Sequence, residues 1–113
     1  MSTYEVILYE KENGDCPVDE FINSLDIKSR AKLIGLLELL EEKGNLLREP
    51  YSKAIEDGIF ELRCKVGSNA YRVLYFYYFR RRIILTNGFT KKTQNGTKIS
   101  CTTAAKRDII KAR

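Results

Sequence analysis

The segment IFELRCKVGSNAYRVLYFYYF, residues 59–79, holds two runs of strand-forming residues separated by a short polar segment. In the first run apolar residues alternate with Glu61, Arg63 and Lys65, the pattern of a strand with one buried and one charged face. A third run, IILTNGF at 83–89, follows three arginines. Connections this short favour antiparallel hairpins. We therefore predict consecutive strands over residues 59–66, 70–79 and 83–89.

The register of the first hairpin decides which way Arg72 points. If Val66 pairs with Ala70, Arg72 lies on the apolar face, where an unpaired buried cation is strongly destabilising. If Val66 pairs with Tyr71 instead, Arg72 shares the face of the charged residues. We predict this second register. In this register the side chains of Val73, Tyr75 and Tyr77 also lie in the core.

The sequence of the N-terminal half predicts one strand followed by two helices. Residues 4–9, YEVILY, favour a strand, and Pro17 suits the first turn of a short helix over residues 17–25. Asp26 is a favourable N-cap for a second helix, which Gly44 ends after Lys43. Its predicted core residues recur at helical spacing and are Leu33, Leu36, Leu37 and Leu40.

The sequence as a whole predicts one α+β domain over residues 1–113. Its 113 residues, 43% of them hydrophobic, suit a single core. We expect a loop around Glu49, Pro50 and Tyr51, an antiparallel sheet of about four strands, and a final helix over residues 102–112. The longest apolar run, residues 73–79, is too short to span a bilayer, and the N-terminus lacks a signal-peptide pattern, so we expect a cytosolic protein.

Charge is sorted along the chain. Residues 1–57 carry 7 basic and 13 acidic side chains, whereas residues 58–113 carry 13 basic and 2 acidic ones, Glu61 and Asp108. The second half therefore has the composition of a surface that meets a polyanion, for which nucleic acid is the commonest candidate. Solvation of a hairpin and a terminal helix is the alternative explanation.

The residue types exclude several kinds of active site. The chain has no histidine, so Ser–His and Cys–His nucleophile pairs are excluded. Its three cysteines, Cys16, Cys64 and Cys101, are widely spaced and lack the pattern of a zinc site, so we expect reduced structural thiols. Proton transfer must use lysine, tyrosine, a carboxylate or the substrate itself.

Several short motifs occur in an order that resembles the HigB-like, phage-derived branch of the RelE/ParE toxin superfamily. In the N-terminal half these are PVDEF at 17–21 and PYSK at 50–53. In the C-terminal half they are GIFELR at 58–63, AYRVLYF at 70–76, GFTKKTQ at 88–94 and AAKR at 104–107. The resemblance covers nearly the whole chain.

The resemblance implies the toxin of a type II toxin–antitoxin pair. Many such toxins enter the ribosomal A site and cut the messenger RNA there. By position, the residues expected around the scissile phosphate are Arg63, Arg72, Lys91 and Lys92. The residues expected to contact RNA nearby are Lys53, Lys65, Thr93, Gln94 and Lys98.

The chain also departs from the family pattern. Where some relatives have a functional tyrosine or histidine near the last helix, this chain has Ile99, Ser100 and Cys101. Asn95-Gly96-Thr97 replaces the usual proline after the KKTQ stretch. The identity of the general base and the general acid stays open.

RNA can be cut without a metal when a ribose 2′-hydroxyl attacks its adjacent phosphate. We assign Arg72, supported by Arg63, to neutralise the charge that develops on the phosphoryl oxygens, because a guanidinium holds two oxygens at once. Clustered cations lower one another's pKa, so Lys91 or Lys92 is a candidate for proton transfer.

Other roles stay open for the same residues. Arg72 could pair with Glu61 across the strands, and the two lysines could only bind ribosomal RNA. Among the aromatic residues that could stack on a base, if exposed, are Tyr71, Tyr77 and Tyr78.

The expected partners are a helix-turn-helix antitoxin, the ribosome and messenger RNA, with no cofactor, metal or membrane. Two other functions remain open: a toxin on the same fold that binds DNA gyrase, and a catalytically inert module that binds nucleic acid or an antitoxin.

Overall fold

In the computed structural model, residues 3–91 are described, and they place two helices against one mixed five-stranded sheet. The sheet order is β1-β5-β4-β3-β2; β1 runs parallel to β5, and the other neighbours are antiparallel. The elements are β1 (Glu5–Leu8), α1 (Pro17–Asn23), α2 (Ile27–Lys43), a 3₁₀ turn (Gly44–Leu46), β2 (Ser52–Glu56), β3 (Ile59–Val66), β4 (Asn69–Tyr78) and β5 (Arg82–Thr90). The predicted α+β class is confirmed for the described part, while the predicted helix over 102–112 lies outside it.

The second helix begins and ends where its sequence predicts. The Asp26 carboxylate accepts a hydrogen bond of 3.2 Å from the backbone amide of Ser29. Hydrogen bonding with the side chain of Ser29, and secondly with its backbone amide, lowers the pKa of Asp26. Gly44 follows the last helical residue with φ of +53°, a conformation that glycine adopts without steric cost. Leu33 and Leu40 are buried, while the two other predicted core leucines are half-buried against the same core.

The sheet has one strand more than predicted, and its edge strand β1 runs parallel to its neighbour. Ser52–Glu56, for which no strand was predicted, pairs with β3 as an edge strand. Its sequence SKAIE has little strand pattern, but Asp57 and Gly58 after it both have positive φ, as a two-residue hairpin turn requires. The parallel pairing of β1 with β5 also corrects the prediction of an antiparallel sheet, because chain order alone does not place a distant strand.

The predicted register of the β3–β4 hairpin is wrong, although the predicted orientation of Arg72 is right. Val66 pairs with Asn69 rather than Tyr71, because Gly67, with φ of +61°, allows a connection of only two residues. The observed register differs from the predicted one by two residues. Since strand side chains alternate with a period of two, Arg72 still lies on the face of Arg63.

The main core lies between the helices and one face of the sheet. Tyr75, Val73 and Leu62 are fully buried there, and the Tyr75 hydroxyl hydrogen-bonds to that of Ser52. Phe21 on α1 packs so closely on Gly88 of β5 that a side chain at Gly88 would overlap its ring. Helix α1 is thereby held against β5.

The opposite face of the sheet is not simply a charged surface, as the alternating pattern predicted. Glu61 is only 3% exposed. On the same face, fully or nearly fully buried apolar residues cover the half of the sheet away from the β3–β4 turn: Ile59, Leu74, Phe76 and Ile84. The basic residues of this face are therefore concentrated towards the other end.

Candidate functional site

Two arginines face each other across β3 and β4 and share one carboxylate. Arg63 and Arg72 are directly paired in the strand register. The Nε atoms of Arg63 and Arg72 lie 3.0 Å and 3.3 Å from the same oxygen, Oε1, of Glu61. One carboxylate cannot neutralise two guanidinium groups, so this cluster keeps a net positive charge. It is a site that an anionic group can approach.

The pairing of Arg72 with Glu61, left open by the sequence, is present in the structure. Arg72 is 12% exposed in its side chain, and its Nη1 donates a 3.2 Å hydrogen bond to the carbonyl of Tyr71. Its buried Nε is within ion-pair distance of Glu61 but is not oriented for a hydrogen bond. Arg63, at 28% exposed, does donate such a bond to Glu61. Arg72 is thus an ion-pair partner of Glu61, and it also lines a cleft between α2 and β3.

Three predicted lysines surround this cluster in the sheet register. Lys53 on β2 lies directly opposite Glu61, and its side chain is exposed. Lys65 follows Arg63 on the same face of β3. The backbone amide of Lys91 donates a 2.8 Å hydrogen bond to the carbonyl of Ala70, which continues the β4–β5 pairing and puts Lys91 on that face too. The sheet therefore gathers five of the predicted basic residues at one end.

A cleft of about 580 Å³ opens beside these residues, next to the start of β2 at Ser52, where β3 continues beyond its pairing with β2. Helix α2 forms one wall, and Pro50 and Tyr51 form part of another. The basic residues among those that line it are Lys32, Arg63, Lys65 and Arg72. The sequence did not identify Lys32 or Tyr51 as site residues, because their positions depend on tertiary contacts. The packing of α2 beside β3 brings Lys32 to the arginines, and the hydrogen bond between the Arg63 amide and the Tyr51 carbonyl places Tyr51 there.

Cys64 and the tyrosines buried in the core are poor candidates for proton transfer or nucleophilic attack. Burial raises the pKa of the Cys64 thiol, which disfavours the reactive thiolate. Burial likewise raises the pKa of Tyr75 and Tyr77. Tyr71 is buried with its hydroxyl 3.3 Å from that of Ser29, so the open possibility that it stacks on a base is contradicted.

Some predicted residues cannot be placed. Those outside the described part of the chain are Lys92, Thr93, Gln94 and Lys98. Cys101 also lies outside it, while Cys16 and Cys64 are free thiols. Within residues 3–91, no three Cys, Asp or Glu side chains are grouped to hold a metal ion, and neither helix has the length and apolar character needed to cross a membrane.

A known family model matches most of the chain. The model is described as Phage derived protein Gp49-like (DUF891), and it matches residues 20–112. The match includes α2, the whole β2–β5 part of the sheet and both arginines of the cluster. No curated protein matches the chain.

Proposed function

Because the chain belongs to the phage-derived Gp49-like family, within the RelE/ParE-like toxin superfamily, we propose that it is the toxin of a type II toxin–antitoxin pair. Its proposed activity is metal-independent cleavage of messenger RNA on the ribosome. Its proposed partners are a helix-turn-helix antitoxin, the ribosome and the message.

The observation that supports cleavage is the pair of guanidinium groups on one sheet face. Arg63 and Arg72 lie opposite each other, with Glu61 Oε1 within 3.3 Å of both Nε atoms. An arriving phosphate offers two or more anionic oxygens and competes with the single carboxylate for the same donors. A site of this kind stabilises charge that grows on phosphoryl oxygens during attack by a 2′-hydroxyl.

The surrounding lysines suit the binding of a phosphodiester chain. Lys53, Lys65 and Lys91 lie on the same face, so adjacent phosphates of one strand meet positive charge on several sides of the arginine pair. The proposal gives Arg72 and Arg63 the role of transition-state stabilisation, and gives Lys91 or Lys92 that of proton transfer. Alignment of the message by the ribosome supplies the in-line geometry.

Gyrase inhibition is the less supported alternative. Binding to gyrase requires no cluster of groups that hold a phosphate, whereas cleavage gives a role to the two guanidinium groups that lie beside an open cleft. Growth arrest with intact messages would favour the gyrase alternative.

The experiment is induction of the protein in a bacterium, with the 5′ ends of translated messages mapped by primer extension. We expect new ends inside codons for the wild-type protein and their loss for Arg72→Ala. Arg82→Ala is the matched control, because Arg82 is also a strand arginine paired with a glutamate, at 3.6 Å from Glu5, but is 40% exposed and away from the cluster.

Because Arg72 is also an ion-pair partner, Arg72→Lys accompanies the alanine variant. It keeps the charge beside Glu61 but loses the planar fork that binds two oxygens. We expect Arg72→Lys to fold and to lose most of the cleavage. If both folded Arg72 variants cut messages as the wild type does, the proposed site is wrong.

A further inference from the structure

The cleft between α2 and the free edge of β3 has the size and lining of a ligand site. Its volume of about 580 Å³ is in the range of small-molecule sites. Leu36 and Leu39 of α2 give it an apolar lining, and Tyr51, with 48% of its surface exposed, lines it as well. The apolar lining and the exposed ring suit a flat, aromatic group.

The charged lining of the same cleft is basic. Arg63 and Arg72 are joined there by Lys32 and Lys65, and the described lining residues include no acid. The Lys32 ammonium group donates a 2.6 Å hydrogen bond to the carbonyl of Lys65, which fixes a cation at the rim. The ligand that this lining complements carries negative charge at one end and an apolar ring at the other.

A glycine in the helix wall keeps the cleft open. Gly35 lies in the interior of α2, where glycine is less favourable than any residue except proline. A Cβ atom at Gly35 would meet no other atom within 4 Å, and its φ is not in the left-handed region, so neither packing nor backbone conformation requires glycine. Gly35 lines the cleft, and a longer side chain at this position would occupy the space inside it.

We infer that this cleft binds one nucleotide of single-stranded RNA, with its base between Leu39 and Tyr51 and its phosphate towards the arginine pair. The inference rests on the proposed function and assigns it a base-binding site. RNA is favoured over an acidic peptide because a nucleotide carries an anion and a stacking ring in one unit, whereas glutamate and aspartate side chains bring no ring to the apolar wall.

The test measures binding rather than cleavage. The probe is a short fluorescein-labelled single-stranded RNA with 2′-O-methyl groups, which cannot undergo 2′-hydroxyl attack, and its affinity is measured by anisotropy at fixed low salt. Gly35→Leu fills the cleft with a good helix former. We expect it to weaken binding at least about tenfold, the scale of losing one stacked base.

Ala31→Leu is the matched control. Ala31 is exposed on the same helix, one turn before Gly35, and does not line the cleft. It adds a leucine side chain to α2 without filling the site, so its affinity should stay within about twofold of the wild type. Equal binding by Gly35→Leu and the wild type would overturn the inference.

A second variant covers the case in which Gly35→Leu fails to fold. Tyr51→Ala removes the exposed ring, while the Tyr51 carbonyl can still accept its 2.7 Å hydrogen bond from the amide of Arg63. We expect a loss of about fivefold or more. A glutamate peptide with the same charge as the RNA tests the alternative ligand. If it displaces the RNA, and Gly35→Leu weakens its binding as much as that of RNA, the cleft is a peptide site and the inference is contradicted.

The outcomes separate this inference from the proposed function. RNA binding that Gly35→Leu abolishes supports the base site even if no messages are cut in the cell. Unchanged RNA binding by both cleft variants, together with Arg72-dependent cutting, overturns the base site and leaves the nuclease proposal standing.

Discussion

Arg63 lies directly opposite Arg72 across two antiparallel strands, and the Nε atoms of both are within 3.3 Å of one oxygen of Glu61. Like charges directly opposite in a sheet are destabilising unless a counter-ion lies between them. Glu61 supplies that counter-ion and is almost completely buried. The carboxylate therefore stabilises the fold at the position where the two guanidinium groups are held together.

We predict that Glu61→Gln lowers the free energy of unfolding by about 3 kcal/mol, because removal of one member of a buried ion-pair cluster leaves the other charges uncompensated. Urea unfolding at pH 7 gives the value. The control is Glu5→Gln, since Glu5 forms an exposed pair with Arg82 and should cost under about 1 kcal/mol. Equal costs for the two variants would show that Glu61 is not needed to hold the arginines.

We predict that Gly88→Ala destabilises the protein by about 1–3 kcal/mol. The added Cβ would lie 2.9 Å from Cγ of the Phe21 ring, so α1 must move away from β5. Phe21→Leu in the same chain should recover part of the loss, which a double-mutant cycle by urea unfolding measures. A Gly88→Ala protein as stable as the wild type would contradict the close approach of α1.

We predict that Gly35→Ala, unlike Gly88→Ala, raises the free energy of unfolding. A Cβ atom at Gly35 meets no atom within 4 Å, and alanine is the better helix former by about 0.5–1 kcal/mol. The same urea measurement should therefore show increased stability. A loss of stability would mean that the backbone or packing of α2 requires the glycine.

We predict a loss of stability at alkaline pH because of two tyrosines. Burial raises the pKa of Tyr75 and Tyr77 above the usual tyrosine value of about 10. Above pH 10 the unfolded chain releases protons that the folded chain retains. The free energy of unfolding should then fall by up to about 1.4 kcal/mol per pH unit for each tyrosine.

Urea unfolding between pH 9 and pH 12 checks this dependence. Tyr75→Phe should be less stable at pH 7, because the buried Ser52 hydroxyl loses its partner. Its stability should nevertheless fall less steeply above pH 10. Identical slopes for Tyr75→Phe and the wild type would contradict the contribution of Tyr75.

Much of the fold and part of the site could be predicted from the sequence. The cap at Asp26, the stop at Gly44 and the alternation in β3 are local patterns, and each specifies its element directly. Alternation also placed Arg72 on the face of Arg63 even though the predicted register was wrong. A shift of two residues moves a strand along its partner without turning its side chains over.

The remaining features depend on neighbours that are distant in the chain. SKAIE becomes β2 because β3 offers it hydrogen-bonding partners, and Glu61 is buried although its own strand pattern places it on a charged face. The roles of Lys32 and Gly35 could not be predicted, since a helix sequence does not specify which strand edge will lie beside each of its faces.

Local patterns in the sequence are sufficient to specify α1, α2, strands β3 to β5 and the concentration of basic residues in the second half, because propensity, capping and alternation act over a few residues. The position of Glu61 within ion-pair distance of both arginines, by contrast, and the cleft beside them arise from contacts between elements. Ion pairs and cavities depend on distances of a few ångströms, and those distances are fixed when β4 pairs with β3 and α2 packs beside it.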